Sequence, residues 1–261
     1  MHKSIDLGAD DDAVVLLHGI GRTGSVWSHV VEGLQRLPVR IVAFDLLGFG
    51  GSPKPQWSDY STKDHTASVI AAIEKLGSKK PVILVGHSMG CLIAVKVARE
   101  RPDLVDHLVL YEMPLYDGLP DKRIYRLRLA IYAKLYKQVL AFEPAFIPSQ
   151  MKRTEKIARK IVGFEVTPET WQPFIKSLRN TVLNQEAASD IKRLSMPVDV
   201  IYGTRDMLVI KGKPKQIYGE DLPHLTTLKV RARHSISAKA STLIVSRIQS
   251  ALMKQSEESV N

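Results

Sequence analysis

The sequence predicts a doubly wound α/β protein: a mostly parallel sheet covered by helices, with a helical cap inserted late in the chain. Three observations predict it. Short apolar runs rich in Val and Ile recur along the chain, amphipathic stretches of helical period separate them, and one long segment breaks the alternation without offering a strand. Runs without a polar face suit strands covered on both sides, as in parallel sheets. Strands alternating with helices need crossover connections, and right-handed crossovers place helices on both faces.

Strands are expected at Ala13–Leu17, Val39–Phe44, Pro81–Val85, His107–Tyr111, Val198–Tyr202 and Thr226–Val230, with helices at about 25–37, 62–77, 89–100 and 236–253. Between Tyr111 and Val198 the rhythm stops. There Lys122–Ala141 carries an apolar stripe of Ile124, Leu127, Ile131, Leu135 and Val139, and further helical pieces are expected around 150–163 and 168–194. A helical insertion at this point would roof the C-terminal ends of the strands, where open α/β sheets bind ligands. The expected division is a core of residues 1–116 and 196–261 and a cap of residues 117–195.

Bulk composition agrees. The 261 residues are 44% hydrophobic and 25% charged, ordinary for a soluble globular chain. Folding at this length removes roughly three quarters of the unfolded surface from water. The single cysteine, Cys91, excludes an intrachain disulfide. No apolar run approaches the ~18–20 residues that cross a membrane, and the first residues lack the apolar core of a signal peptide, so a cytoplasmic location is expected. The net charge of +10 is concentrated in residues 121–160. A solvated helix face accounts for such a run; weak contact of the basic cap with an anionic membrane or amphiphile is the alternative. Nucleic acid is not an expected partner, because the tyrosines there fall at helical spacing rather than forming a stacking platform.

The chemistry gathers at strand ends. Gly86-His87-Ser88-Met89-Gly90 joins a strand directly to a helix. A serine held in so tight a turn needs minimal residues two places before and after it, and both are glycine. The turn aims the hydroxyl outward above a helix N-terminus, whose N–H groups carry partial positive charge. A nucleophilic serine also needs a base and donors for the developing oxyanion. The first strand ends in His18-Gly19-Ile20-Gly21, where the Ile20 N–H can pair with that of Met89 as an oxyanion hole. Asp206 follows Val198–Tyr202, and His234 follows Thr226–Val230. Both reach the sheet edge that carries Ser88, in the order Ser, Asp, His. His18 and His87 are expected to be structural.

These pieces, HGIGRTGSVW (18–27), DLLGFGGS (45–52), GHSMG (86–90), YGTRD (202–206) and His234, resemble the α/β-hydrolase superfamily over nearly the whole chain. The resemblance implies a catalytic triad of Ser88, Asp206 and His234, an oxyanion hole at Ile20 and Met89, a structural Asp45, and no cofactor or metal. It implies a serine hydrolase acting on a small or medium carboxylic ester through an acyl-enzyme. Thioesterase, monoacylglycerol lipase and carbon–carbon bond hydrolase are the alternatives within the family, and a ligand-binding receptor with a silent triad lies outside catalysis. Ser88 excludes the relatives that use an aspartate nucleophile, the epoxide hydrolases and haloalkane dehalogenases. Three features depart from the family. Only residues 2–8 remain for the usual antiparallel edge hairpin, Arg233 stands where a glycine usually precedes the histidine, and Glu112 occupies a position that some relatives give to the acid.

Overall fold

The apolar runs form the strands because each run buries both of its faces. In the computed structural model, which describes residues 1–115, 166–206, 208–212 and 214–258 and the helical positions Arg123, Arg126, Leu127 and Ala130, seven strands make one sheet. They are β1 (His2–Leu7), β2 (Ala13–Leu17), β3 (Arg40–Asp45), β4 (Val82–His87), β5 (Val105–Tyr111), β6 (Val198–Gly203) and β7 (Leu225–Val230). Their order across the sheet is β1-β3-β2-β4-β5-β6-β7. Only β1 is antiparallel, pairing His2 with Asp45 and Leu7 with Ile41.

Side-chain alternation divides the sheet into two cores. Val15, Leu17, Val42, Phe44, Leu84, Leu108 and Leu110 face one way. That side is covered by α2 (Thr62–Glu74), α3 (Met89–Glu100), α4 (Pro168–Ser177), the π-helical turn Leu178–Leu183 and α5 (Ala187–Ile191). Val14, Leu16, Ile41, Ala43, Ile83, Val85, Val109 and Ile201 face the other way. They pack on α1 (Ser28–Leu34) and α7 (Ala238–Glu258); the short α6 (Pro214–Tyr218) precedes β7. The sheet is doubly wound, as the crossovers require.

The strands exceed the apolar runs at their C-terminal ends. β3, β4 and β6 continue to Asp45, His87 and Gly203, since ladder pairing goes on where side chains turn polar: His87 pairs with Tyr111 and Gly203 with Val230. This polar rim carries the residues at which the sequence places the candidate site. The expected helix at 25–37 shortens to 28–34 after a 3-10 turn at Gly24–Trp27.

Of the segment expected as a cap, residues 166–195 and the helical positions Arg123, Arg126, Leu127 and Ala130 are described. Trp171, Phe174, Ile175, Leu178 and Val182 join the same buried cluster as β2 and β4. Ser177 Oγ lies 3.0 Å from His65 Nε2, and Thr181 Oγ1 donates to the Tyr60 carbonyl at 2.8 Å. The expectations for the basic stripe Lys122–Ala141 (apart from Arg123, Arg126, Leu127 and Ala130) and for a helix at 150–163 lie outside the described residues. Among the described residues no helix is long and apolar enough to cross a membrane.

Asp45 closes the sheet at its β1 edge. Its carboxylate accepts from the N–H groups of Gly24 and Gly51 at 2.8 Å each, from Ser4 Oγ and from His2 Nδ1 at 2.9 Å. Burial pushes the Asp45 carboxyl up, but the bonds from Ser4, Gly24, Gly51 and His2 prevail and hold it below its ordinary value of 3.8. Asp45→Ala orphans these donors and is expected to cost about 3 kcal/mol in urea unfolding at neutral pH. Because the folded value is depressed, this stabilisation is complete above the ordinary value and is lost as pH falls from there through the folded one. The gap between wild type and variant should therefore narrow in acid.

Candidate active site

Ser88 stands between β4 and α3 with φ 54° and ψ −120°, a region that a non-glycine residue occupies only when its surroundings force it. Its N–H donates to the Tyr111 carbonyl at 3.0 Å, and its carbonyl accepts from Cys91 N at 2.9 Å. The flanking glycines are demanded by contact. A Cβ on Gly86 would lie 2.7 Å from the backbone of Cys91, and one on Gly90 would run into the carbonyl oxygens of Leu17 and His18. The turn is wedged between its own helix and the end of β2.

Strands β6 and β7 bring the other two groups to this point. Ser88 Oγ lies 3.0 Å from His234 Nε2, and His234 Nδ1 lies 2.7 Å from Asp206 Oδ2. Asp206 is almost fully buried, and its Oδ1 accepts from Leu208 N at 2.6 Å. Burial raises the Asp206 carboxyl, while the hydrogen bond and charge of His234 act in the other direction and leave it below its ordinary value. An ionised Asp206 is acceptor-only, so His234 carries its proton on Nδ1. The Nε2 lone pair then faces the serine hydroxyl. Such a chain can take a proton from Ser88 as its oxygen attacks, and return it later.

The sequence-predicted residues Ser88, Asp206 and His234 thus come together. Met89 is the first residue of α3, where a helix N–H has no intrahelical acceptor. Ile20 lies buried in the turn after β2. That turn abuts the serine, since a Cβ on Gly19 would sit 3.0 Å from Ser88 Cβ. His18 is elsewhere engaged: Nδ1 donates to the Gly19 carbonyl at 2.7 Å and Nε2 accepts from Leu46 N at 2.9 Å. Burial pushes it down to about 4, so it ties the ends of β2 and β3 as a neutral ring.

Two supports are not evident from the motifs. Tyr111 Oη lies within donating distance of the carbonyls of Arg233 and Ser235, at 3.0 and 3.1 Å, and His87 Nε2 donates to the His234 carbonyl at 2.8 Å. Together they clamp the backbone on both sides of His234. Burial pushes His87 down to about 3, so it is a neutral brace. The signal was available in part, since both residues are polar-tipped and end the two central strands. Among the described residues, ligand-type atoms of Glu112, Asp206 and His234 lie within 4.8 Å of one another. Asp206 and His234 are engaged with each other and with Ser88, so these two belong to a proton relay, while Glu112 lies beside it.

Residues 12–239 match the family model described as the alpha/beta hydrolase fold. The chain is 36% identical over 121 residues to the Arabidopsis thaliana protein named "Probable lysophospholipase BODYGUARD 4", a match spanning 44% of this chain and 29% of that protein; it thus covers under a third of that relative's length. It is 30% identical over 223 residues to the "Karrikin insensitive 2 receptor CA" of Petunia hybrida, spanning 80% and 79% of the two chains. Among solved structures, the enol-lactonase from Burkholderia xenovorans superposes with a TM-score of 0.68 at 18% identity, covering 97% of this chain and 96% of that one; this likeness concerns the fold.

The wedge at the serine turn gives a direct expectation. Gly90→Ala should push α3 away from β2, lowering stability by about 2–4 kcal/mol and slowing the labelling of Ser88 by a fluorophosphonate. Thermal unfolding and the labelling rate check it; a variant equal to wild type in both would show that the turn has room to spare.

Proposed function

The chain belongs to the α/β-hydrolase fold family, and on that premise we propose that it is a serine hydrolase that cleaves carboxylic esters through an acyl-enzyme. One observation carries the proposal: the continuous chain from Ser88 Oγ through His234 to Asp206, at 3.0 and 2.7 Å.

The steps follow from that geometry. His234 Nε2 takes the hydroxyl proton as Ser88 Oγ attacks the ester carbonyl. Asp206 keeps the ring in the required tautomer and stabilises the imidazolium. The N–H groups of Ile20 and Met89 are assigned to the oxyanion, which forms over the N-terminus of α3. His234 then gives its proton to the departing alkoxide. A water deprotonated by the same nitrogen attacks the acyl-Ser88 ester and releases the acid. The polar rim would supply these steps for esters and thioesters alike; a carboxylic ester with a small or medium acyl group is the class proposed, at a site that residues 117–195 are proposed to roof.

One observation favours a second reading. The Petunia relative, matched over most of both chains, is named a receptor. In that reading the site binds a ligand and turns it over slowly or not at all. The ionised Asp206 and the intact serine–histidine bond favour an enzyme.

Ser88→Ala is expected to lower turnover of a p-nitrophenyl ester by about a million-fold while the folded state persists. Near-wild-type turnover by purified variant would end the nucleophile assignment, and turnover absent from the wild type across a panel of acyl chain lengths would favour the receptor. Asp206→Asn should cost about ten-thousand-fold, since an amide leaves His234 in the wrong tautomer; steady-state kinetics against the same ester measure it.

A further inference from the structure

Glu112 takes no part in the relay, yet the fold holds it at some cost. It follows β5 directly, is fully buried, and has φ +55°, a left-handed backbone that glutamate rarely adopts. Its Oε1 accepts from Gly203 N at 2.6 Å, at the end of β6. Its Oε2 is buried without a hydrogen-bond partner. Facing it are Asp206 and Lys211 from the segment after β6, His234 from the segment after β7, Tyr111 from its own strand and Cys91 from α3. Of these only Lys211 carries a permanent positive charge, and its ammonium donates to the carbonyl oxygens of Thr204, at 3.1 Å, and of Asp206. Two carboxyl groups so close do not both remain ionised without a cation between them. Asp206 receives the donors of His234 and Leu208, so the charge settles there and the proton falls to Glu112.

We infer that Glu112 is a neutral carboxylic acid in the folded protein, that its Oε2–H is turned toward the Asp206 carboxylate, and that it is a positioning residue for the Asp206–His234 pair. With Oε1 on the Gly203 N–H and Oε2 beside the Asp206 carboxylate, one side chain reaches both ends of the turn that carries Asp206. Burial first, and the charge of Asp206 second, push the Glu112 carboxyl up to about 10, in agreement with that placement. The positioning role rests on the hydrolase reading; the protonation does not.

The protonation has a measurable consequence. Unfolded, Glu112 ionises near its ordinary value of 4.5; folded, it keeps its proton far above that. Because the folded value is raised, the stability tied to this proton is complete below the ordinary value and is lost progressively as pH rises toward the folded one. Across that window folding takes up one proton, so the folding equilibrium constant of the wild type loses about tenfold per pH unit from this group alone. Glu112→Gln is an uncharged mimic of the same shape, with an oxygen for Gly203 and an N–H for Asp206, and has no such dependence. Denaturant unfolding of wild type and Glu112→Gln between about pH 5.5 and 8.5 is the test. The variant is expected to gain on the wild type by about tenfold in the equilibrium constant per pH unit. A difference that stays constant across the range means that Glu112 is ionised in both states, and overturns the inference.

Kinetics test the positioning. Glu112→Met is expected to lower kcat by about tenfold or more at unchanged KM, with Glu112→Gln recovering most of the loss. Equal losses in the two variants would overturn the positioning role, as would an acid limb of the pH–kcat profile shifted down by about a pH unit in Glu112→Gln, the sign of a removed negative charge. Should the wild type turn over no ester, the hydrolase reading fails, and the unfolding comparison still decides the protonation.

Discussion

The backbone of Ser88 is the constraint from which the site follows. A left-handed serine between a strand and a helix leaves no room for a side chain at Gly86 or Gly90, and the glycine at 90 lets α3 press against the carbonyl oxygens that end β2. That contact is what brings the turn carrying Ile20 beside the serine. The same geometry starts α3 at Met89, so free N–H groups are aimed where negative charge would develop. The Ser88 N–H bond to the Tyr111 carbonyl ties the turn to β5. The proposed nucleophile, its proposed donors and the bracing strand are therefore consequences of one strained residue, held because the two central strands over-determine it.

Buried charge is treated differently at the two ends of the sheet. Asp199 in β6 lies at the end remote from Ser88. It receives His107 Nε2 and Arg247 Nε, each at 2.9 Å on the same oxygen. Burial raises its carboxyl, and these two partners bring it below the ordinary range. A buried acid with a guanidinium on it is compensated and inert; it joins β5, β6 and α7. At the other end Asp206 has the His234 ring and the Leu208 N–H as its donors, with no guanidinium on it, and Glu112 Oε1 accepts from the Gly203 N–H. Under-compensation of this kind makes a carboxylate pull on an imidazole proton, and it is where perturbed titration and chemistry coincide.

The six parallel strands, the serine turn and the positions of Asp206 and His234 were legible in the sequence, because apolar runs and glycine spacing are local signals; β1, His2–Leu7, has no apolar run and was not. The C-terminal extensions of β3, β4 and β6 were not, since ladder pairing continues past the point where hydrophobicity stops. The braces were harder still. Nothing local to Tyr111 or His87 says that its polar tip meets the segment around His234, more than a hundred residues on. Glu112 was visible only as a rival for the place of the acid. Sequence could offer the two carboxylates as alternatives, whereas the fold places both at one site and separates them by protonation.

Arg233 shows how such braces relax a sequence requirement. A glycine before the histidine would let the backbone pass tightly under the site. Here the Arg233 side chain is exposed to solvent, and its carbonyl turns inward to Tyr111 Oη, with the carbonyls of His234 and Ser235 held by His87 and Tyr111. Three successive carbonyls are captured by two side chains, so the path of the loop is set by main-chain acceptors. Every residue supplies that carbonyl acceptor whatever its side chain. A long cationic side chain is then free to point outward at position 233, while Nε2 of His234 remains 3.0 Å from Ser88 Oγ. The departure from glycine is absorbed by the ends of β4 and β5, the same two strands that hold the strained serine.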